Sequence, residues 1–347
     1  MPLSLNFDFQ YEVDPYEIEL FNSKHPAVLS VGSLQLRPYA LCVTLAVLCG
    51  LLLLWYTGRR EKLKTGTVST LAVLLLPLGF LFARLFYVVD RLDWYENIGL
   101  EKALHFWEGG YALWGAVLGC VLAILLASRI SRERASALFD ACAAPAALVI
   151  ALCRFAEFPC CGEGYGPEIS PESFFCRFPF AVQLEEDYGC LAVFFFEGIA
   201  ALIILAVLLR SRRTGGDKAR LFLILYSSAQ ILLESLRRDH YLLLFTHEFI
   251  RASQIVAAAV LFCLIVAALI RRARKQSPSS LSPGVIICMS ILFVLGVGIV
   301  IGMEFAKDKL PALPIWACYA IMAVGCVMLG FSSYKLVLPA GRKEKTI

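Results

Sequence analysis

The sequence predicts an all-α fold, a polytopic membrane helix bundle of about nine transmembrane helices, with the N-terminus outside and the C-terminus cytoplasmic. Three observations carry this. The 347 residues are 59% hydrophobic and only 17% charged, with a mean hydropathy of +0.72, which is too apolar for a soluble domain that must keep a polar surface. The apolar residues gather into runs of about 20, the length that a helix rising about 1.5 Å per residue needs to cross a hydrocarbon core. Lysine and arginine recur after every second run, the pattern of cytoplasmic loops.

The spans are expected near 39–57, 67–89, 109–128, 136–156, 190–209, 220–236, 249–270, 284–303 and 313–334. The fourth contains Pro145 and the sixth is short with a polar end. Helix is the economical choice throughout, because it satisfies its own backbone hydrogen bonds in lipid. Arg59, Arg60, Lys62 and Lys64 follow the first span, and Arg129, Arg132 and Arg134 the third. Arg210 to Arg220 follow the fifth, Arg271 to Lys275 the seventh, and Lys335 to Lys345 the ninth. The alternate loops are acidic, as in Glu185–Gly189. The segment Met1–Pro26 is acidic too and lacks the basic start of a removable signal.

Within the spans, clear of their first residues (Arg220, Arg251), the only basic residues are Arg84 and Arg154, and the acidic ones are Glu197 and Glu234, with Asp140 near a cytoplasmic end. The topology places Arg84, Arg154, Glu197 and Glu234 at similar depth in the outer leaflet. A charge in hydrocarbon costs about 2.5–3.5 kcal/mol on insertion scales, so such residues pair or line a wet cavity. Two structural ion pairs would satisfy that requirement. Convergence of four charges favours a polar cavity that receives a lipid headgroup.

Other features are weaker. Gly115 and Gly119 have a GxxxG spacing that marks close helix packing. Cys160, Cys161, Cys176 and Cys190 fall in or beside one outer loop, where one or two disulfides are expected. The other nine of the 13 cysteines read as small apolar residues. There is no nucleotide loop, no HExxH, and no metal pattern among His25, His105, His240 and His247, so neither metal nor cofactor is expected. No basic tract with interleaved aromatics points to nucleic acid. The sequence leaves the oligomeric state open.

The chain then shows, in order, "RPYA", "LGFLFARLFYVV", "EGGYALWGAVLG", "RFAEFPCCGEGYG", "LILYSSAQILLESLRRD" and "ASQIVA". These resemble the bacterial prolipoprotein diacylglyceryl transferases from about residue 30 to 270, the family's seven-span unit. The resemblance divides the chain into a seven-span unit at 1–280 and two additional helices with a basic tail at 281–347. It implies a plasma (inner) membrane enzyme that moves diacylglycerol from phosphatidylglycerol to the lipobox cysteine thiol of a prolipoprotein, yielding a thioether and glycerol 1-phosphate.

By the same resemblance Arg154 is the arginine of the signature GRxGNFxNxExxG, and Glu163 and Gly166 are its glutamate and last glycine. Tyr39 opens the first span, Arg84 is the arginine of "ARL", and Glu197 ends an HPxxLYE-like motif. Tyr226, Glu234 and Arg237 match YGxxRFxxExxR. The implied catalytic residues are Arg154, Glu163 and Glu234. The implied substrate-binding residues are Tyr39, Arg84, Gly166, Glu197, Tyr226 and Arg237. The chain departs from the pattern at Trp114 (a histidine in the family), Glu157 (asparagine) and Gln230 (arginine), and at Leu191, Ala192 and Phe196 before Glu197. Those departures support an alternative, a paralogue that binds phospholipid or precursor without transfer. A transporter sharing only the scaffold ranks below both, because no inverted repeat is evident.

Overall fold

The computed structural model describes residues 29–31, 34–36, 38–90, 92, 95, 99–105, 111–161, 164–170, 173–185, 188–238, 252–274, 281–309 and 314–338. Nine α-helices lie among them: α1 (Pro38–Arg60), α2 (Thr65–Asp90), α3 (Leu113–Ser131), α4 (Ala135–Cys161), α5 (Val193–Arg210), α6 (Asp217–Leu236), α7 (Ala252–Ala273), α8 (Pro283–Lys309) and α9 (Ile315–Val337). Eight are long and apolar enough to cross a membrane, and α3 contributes a shorter apolar stretch, Gly115–Ser131. The protein is a multi-pass membrane helix bundle.

Most helices run three to six residues past their expected C-terminal ends. The added turn is often basic, with Arg59 and Arg60 on α1, Arg129 on α3, Arg210 on α5, and Arg271 and Arg272 on α7. A cation in the last turn complements the helix dipole, and its stem lies along apolar surface while the head reaches water. Hydropathy alone therefore stops the helix too early.

Lipid solvates apolar side chains as well as protein does, so burial in the bundle follows from close backbone approach and polar contacts. A Cβ on Gly115 would strike the Phe82 carbonyl, and one on Gly119 the Leu78 carbonyl, so the GxxxG stripe is where α3 packs on α2. Gly50 of α1 is covered in the same way by Val149 of α4, and Gly198 of α5 by the Phe155 ring of α4. Two apolar clusters share α4. One joins it to α1, α2 and α3 through Leu54, Leu71, Ile124 and Leu138. The other joins it to α5, α6, α7 and α9 through Ala147, Leu208, Ile224, Leu261 and Met322.

Alternate helix ends meet at one end of the bundle, as the basic pattern requires. Arg60 donates to the Leu209 carbonyl, Arg272 to that of Leu336, and Arg213 to Tyr334 Oη at 2.8 Å. Asp140 at the start of α4 accepts from the Gly216 and Ala219 amides at 2.7 and 2.9 Å. It thereby caps α6, whose own N-cap residue is a glycine without a side chain to do so.

The opposite end carries the short strands. β1 (Leu29–Val31) and β2 (Leu34–Leu36) form a hairpin. β3 (Glu168–Ile169), β4 (Ala181–Glu185) and β5 (Tyr188–Leu191) form an antiparallel sheet in the order β3-β5-β4. β5 takes the residues expected to begin the fifth span, so α5 starts only at Val193.

Candidate active site

The site is assembled where α4 and α6 end and α5 begins. The hydrophobic windows of α4 and α6 are the most enclosed of all the spans, each 44% buried. Charges placed there must find partners in the protein rather than in water.

Arg154 and Glu157 are one turn apart on α4, and Arg154 Nη1 donates to both Glu157 oxygens, at 3.0 and 2.8 Å. Its Nε lies 3.1 Å from Glu197 Oε2 on α5. Tyr226 of α6 lines the same pocket as Arg154. From the residue just beyond α6, Arg237 reaches the same two carboxylates. Its Nη2 is 2.6 Å from Glu157 and its Nη1 3.0 Å from Glu197. Two guanidinium groups and two carboxylates thus close a ring across three helices. Arg237 is 3% exposed, and the Glu197 side chain 2%. Bidentate guanidinium–carboxylate geometry is among the strongest pairings available in such surroundings.

Gln230 extends the ring. Its amide nitrogen is 2.7 Å from Glu234 Oε2 and 3.5 Å from Glu197 Oε1. Gln230 therefore ties Glu234 to the ring without adding charge.

The signature loop is knitted onto the same end by its backbone. Gly166 N donates to Leu191 O at 2.8 Å, Phe194 N to Gly164 O at 2.7 Å, and Arg238 N to Tyr165 O at 3.0 Å. Gly164 has φ +83°, a left-handed conformation that suits glycine. A Cβ there would stand 2.7 Å from Phe194 Cβ, and one on Gly166 would stand 2.8 Å from Leu236 O. The loop therefore lies directly on the start of α5 and the last turn of α6.

A small, largely enclosed pocket with room for little more than a water molecule lies beside the ring. Arg154, Glu197, Tyr226 and Gln230 line its polar end, and Ile150, Ala201, Ile204 and Leu233 its apolar length. The pocket thus has one charged and polar side, which includes Arg154, and one apolar side.

The sequence model of the prolipoprotein diacylglyceryl transferase family matches residues 26–271. The chain belongs to that family. Among curated relatives, a Symbiobacterium thermophilum protein is 30% identical over 267 residues, which cover 74% of this chain and 96% of the relative. A Listeria monocytogenes serotype 4b protein is 28% identical over 260 residues, covering 73% and 91%. An Acaryochloris marina protein is 29% identical over 233 residues, covering 65% and 84%. All three are named phosphatidylglycerol–prolipoprotein diacylglyceryl transferase. The matched region ends before α8 and α9 begin.

Against this family background, the structure brings together Arg154, Glu197, Tyr226, Glu234 and Arg237, with Gly166 in the adjoining loop. Tyr39 sits at the start of α1, one turn before Cys42, whose sulfur is 3.9 Å from that of Cys160 near the end of α4. Glu163 lies outside the described residues, and so does the side chain of Trp114.

Arg84 falls in a different set of contacts from the one expected. Its Nε and Nη2 donate to the carbonyls of Ala103 and His105 at 3.1 and 3.2 Å, and it lies near the rings of Tyr87 and Tyr95. These contacts belong to the α2–α3 side of the bundle, whereas Arg154 is held by α5 and α6. The charges that do meet are Arg154, Glu157, Glu197 and Arg237, with Glu234 joined through Gln230.

Two departures from the motif, Glu157 and Gln230, join the cluster: one closes the ring and the other bridges its carboxylates. Position 157 is readable as a partner of Arg154, since it stands three residues after it and shares its helix face. α4 stays helical through Pro159 to Cys161 and so holds the pair together. In place of the expected disulfides, Cys160 at the end of α4, Cys176 and Cys190 of β5 are free thiols, and the Cys161 side chain lies outside the described residues. Burial, with the Glu168 carboxylate beside it, pushes the Cys190 thiol above its ordinary value.

Proposed function

We propose that the protein transfers the diacylglyceryl group of phosphatidylglycerol to the lipobox cysteine thiol of prolipoproteins. It would act in the bacterial plasma membrane with its N-terminus outside, its C-terminus cytoplasmic, and the Arg154 ring at the outer face. The observation that carries this reading is the pair of arginines, Arg154 and Arg237, held on the shared carboxylate of Glu197 in a chain of this family, with Arg154 lining the adjoining pocket.

The chemistry asks for little more. The precursor's sulfur attacks the glyceryl carbon, the carbon–oxygen bond to phosphate breaks, and glycerol 1-phosphate departs with both electrons of that bond. A free thiol has a pKa of about 8.5, so attack gains from a nearby proton acceptor. The developing phosphate charge gains from guanidinium donors held ready in a site that excludes water. Arg154 and Arg237 would take the phosphate, with Tyr226 lining the pocket beside Arg154. Glu197 and Glu157 hold the guanidiniums in place until the donor lipid arrives. Glu234 or Glu163 would accept the thiol proton. Gly164 and Gly166 let loop backbone approach the headgroup. Tyr39 would border the entrance from α1, and Arg84 would shape the neighbouring α2–α3 wall.

A second reading has its own observation. Both arginines already hold two carboxylates, and Gln230 stands where the family has an arginine, so the ring carries less positive charge than the motif provides. That state suits a paralogue that binds phospholipid or precursor without transfer. The two readings separate when the gene is supplied to cells depleted of their own transferase and labelled lipid is followed onto lipoprotein. Labelled lipoprotein supports the enzyme. A well-expressed, correctly inserted protein that leaves precursors unlabelled removes the enzyme reading.

A further inference from the structure

The helices α8 and α9 lie outside the region matched by the family, yet both send polar groups to a single residue of α6. Ser235, 3% exposed, donates its hydroxyl to Glu304 Oε2 of α8 at 2.7 Å. Lys307, one turn further along α8, places Nζ 3.3 Å from the same hydroxyl and pairs with Glu304. From α9, the Tyr319 hydroxyl lies 3.4 Å from the Ser235 carbonyl.

Simple docking of a helix pair does not call for these groups. α8 has the highest hydropathy of the spans, 2.9, and only 6% of its window is buried in protein. Nevertheless, Glu304 is turned inward and is 4% exposed. A carboxylate in such a segment is costly unless paired. Small-residue contact already joins the two helices at Gly296 and Gly325 and seats the pair on α6 at Gly330 and Ser228. The polar groups go further and fix one particular turn.

That turn is the one on which the ring depends. Ser235 follows Glu234 directly and precedes Arg237 by two residues. Its carbonyl is among the last-turn acceptors that an α-helix leaves without an intrahelical partner, and the Tyr319 hydroxyl is placed to satisfy it. Arg237 then leaves the helix with extended backbone, φ −69° and ψ 148°, and turns its guanidinium onto Glu157 and Glu197. On the other side, the same turn carries the signature loop through Gly166 and Leu236 O. The last turn of α6 is therefore held between the family's loop and the added hairpin.

We propose that Glu304, with Lys307 and Tyr319, forms a set of positioning residues that the added hairpin contributes to the transfer site. It acts on Arg237 and Glu234 through Ser235. This inference rests on the transferase reading above.

The test compares the full-length wild type with Glu304→Ala, Glu304→Gln and Tyr319→Phe. Transfer is measured from phosphatidylglycerol to a synthetic lipobox peptide, and amide hydrogen exchange is measured over residues 230–238. Small displacements of a catalytic group cost up to about 100-fold in rate. Glu304→Ala is therefore expected to lower kcat by roughly tenfold with KM for the lipid nearly unchanged, and to speed exchange at 234–238 selectively. Glu304→Gln, which still accepts from Ser235, should recover most of the rate. Tyr319→Phe, a change too small to prevent folding, should show a weaker version of both effects. Unchanged kcat in folded Glu304→Ala and Tyr319→Phe, with loss only of thermal stability, overturns the inference and leaves the transferase reading intact. An inactive wild type sinks the transferase reading instead, and unchanged exchange at 234–238 would then still overturn the positioning role.

Discussion

Arg237 Nη2 and Glu157 Oε1 are 80 positions apart in the chain and 2.6 Å apart in the structure. This contact joins the end of α6 to the end of α4, and through Glu197 it brings in α5. An asparagine at position 157, as in the family motif, could accept a hydrogen bond there but could not neutralise a guanidinium. The ring therefore belongs to this chain's own residues as much as to the family pattern.

Removing Arg237 should be severe. Arg237→Ala leaves Glu157 and Glu197 sharing Arg154 alone, and breaking a buried pair from one side costs about 3–5 kcal/mol. Thermal unfolding in detergent should show a large fall in midpoint, and transfer should be lost. Arg237→Lys keeps the charge but not the fork, so stability should recover in part while transfer stays low.

Glu157→Asn is expected to act in the opposite direction on the lipid. It restores the family residue and releases both guanidiniums from one of their two carboxylates. A hydrogen bond to a charged group contributes about 1.5–3 kcal/mol, so KM for phosphatidylglycerol should fall by roughly tenfold or more. Adding Gln230→Arg should lower it further. A KM that rises would mean that Glu157 serves the donor lipid directly.

The loop makes a steric prediction. Gly166→Val places side-chain carbons against Val193 and Leu236 O, where even a Cβ would stand at 2.7 and 2.8 Å. Overpacking of this kind costs about 1–3 kcal/mol. Reduced transfer is expected, together with faster exchange of the Arg238 amide, which donates to the Tyr165 carbonyl.

Cys42 and Cys160 report on the α1–α4 contact. Their sulfurs are 3.9 Å apart, so mild oxidation should join them without backbone movement beyond what a disulfide needs. Mass spectrometry of a digest should show a peptide pair lost on reduction and absent from Cys42→Ser. Linkage of Cys160 to Cys176 or Cys190 instead would contradict the packing of α1 on α4.

The bundle was largely legible from sequence because lipid imposes one simple rule on every span, and basic residues mark alternate ends. Even the doubtful sixth span is a full helix, α6. Its polar end is where Gln230, Glu234 and Ser235 turn inward to partners that hydropathy does not register. The site was half legible. Arg154, Glu197 and Glu234 stood out because charges in spans are costly, and Arg237 through the resemblance of its motif. Glu157 drew notice beside Arg154, but its second partner, Arg237, is 80 residues away and no local pattern points to it. Arg84 was placed with the others by depth alone, and depth says nothing about which way a helix face is turned. Its neighbours prove to be the backbone carbonyls of residues 103 and 105. The three-stranded sheet escaped notice because its strands are two to five residues long.

The central claim is that the Arg154–Arg237 ring receives the lipid phosphate and that transfer follows. The most direct measurement uses purified protein in phosphatidylglycerol vesicles labelled in the headgroup, with a synthetic lipobox peptide. Release of glycerol 1-phosphate is followed against the mass gain of the peptide. The account predicts that both appear in equal amounts with wild type and that both fall to background with Arg154→Ala. Undiminished transfer by folded Arg154→Ala, or lipid that binds the wild type while the peptide stays unmodified, would contradict it.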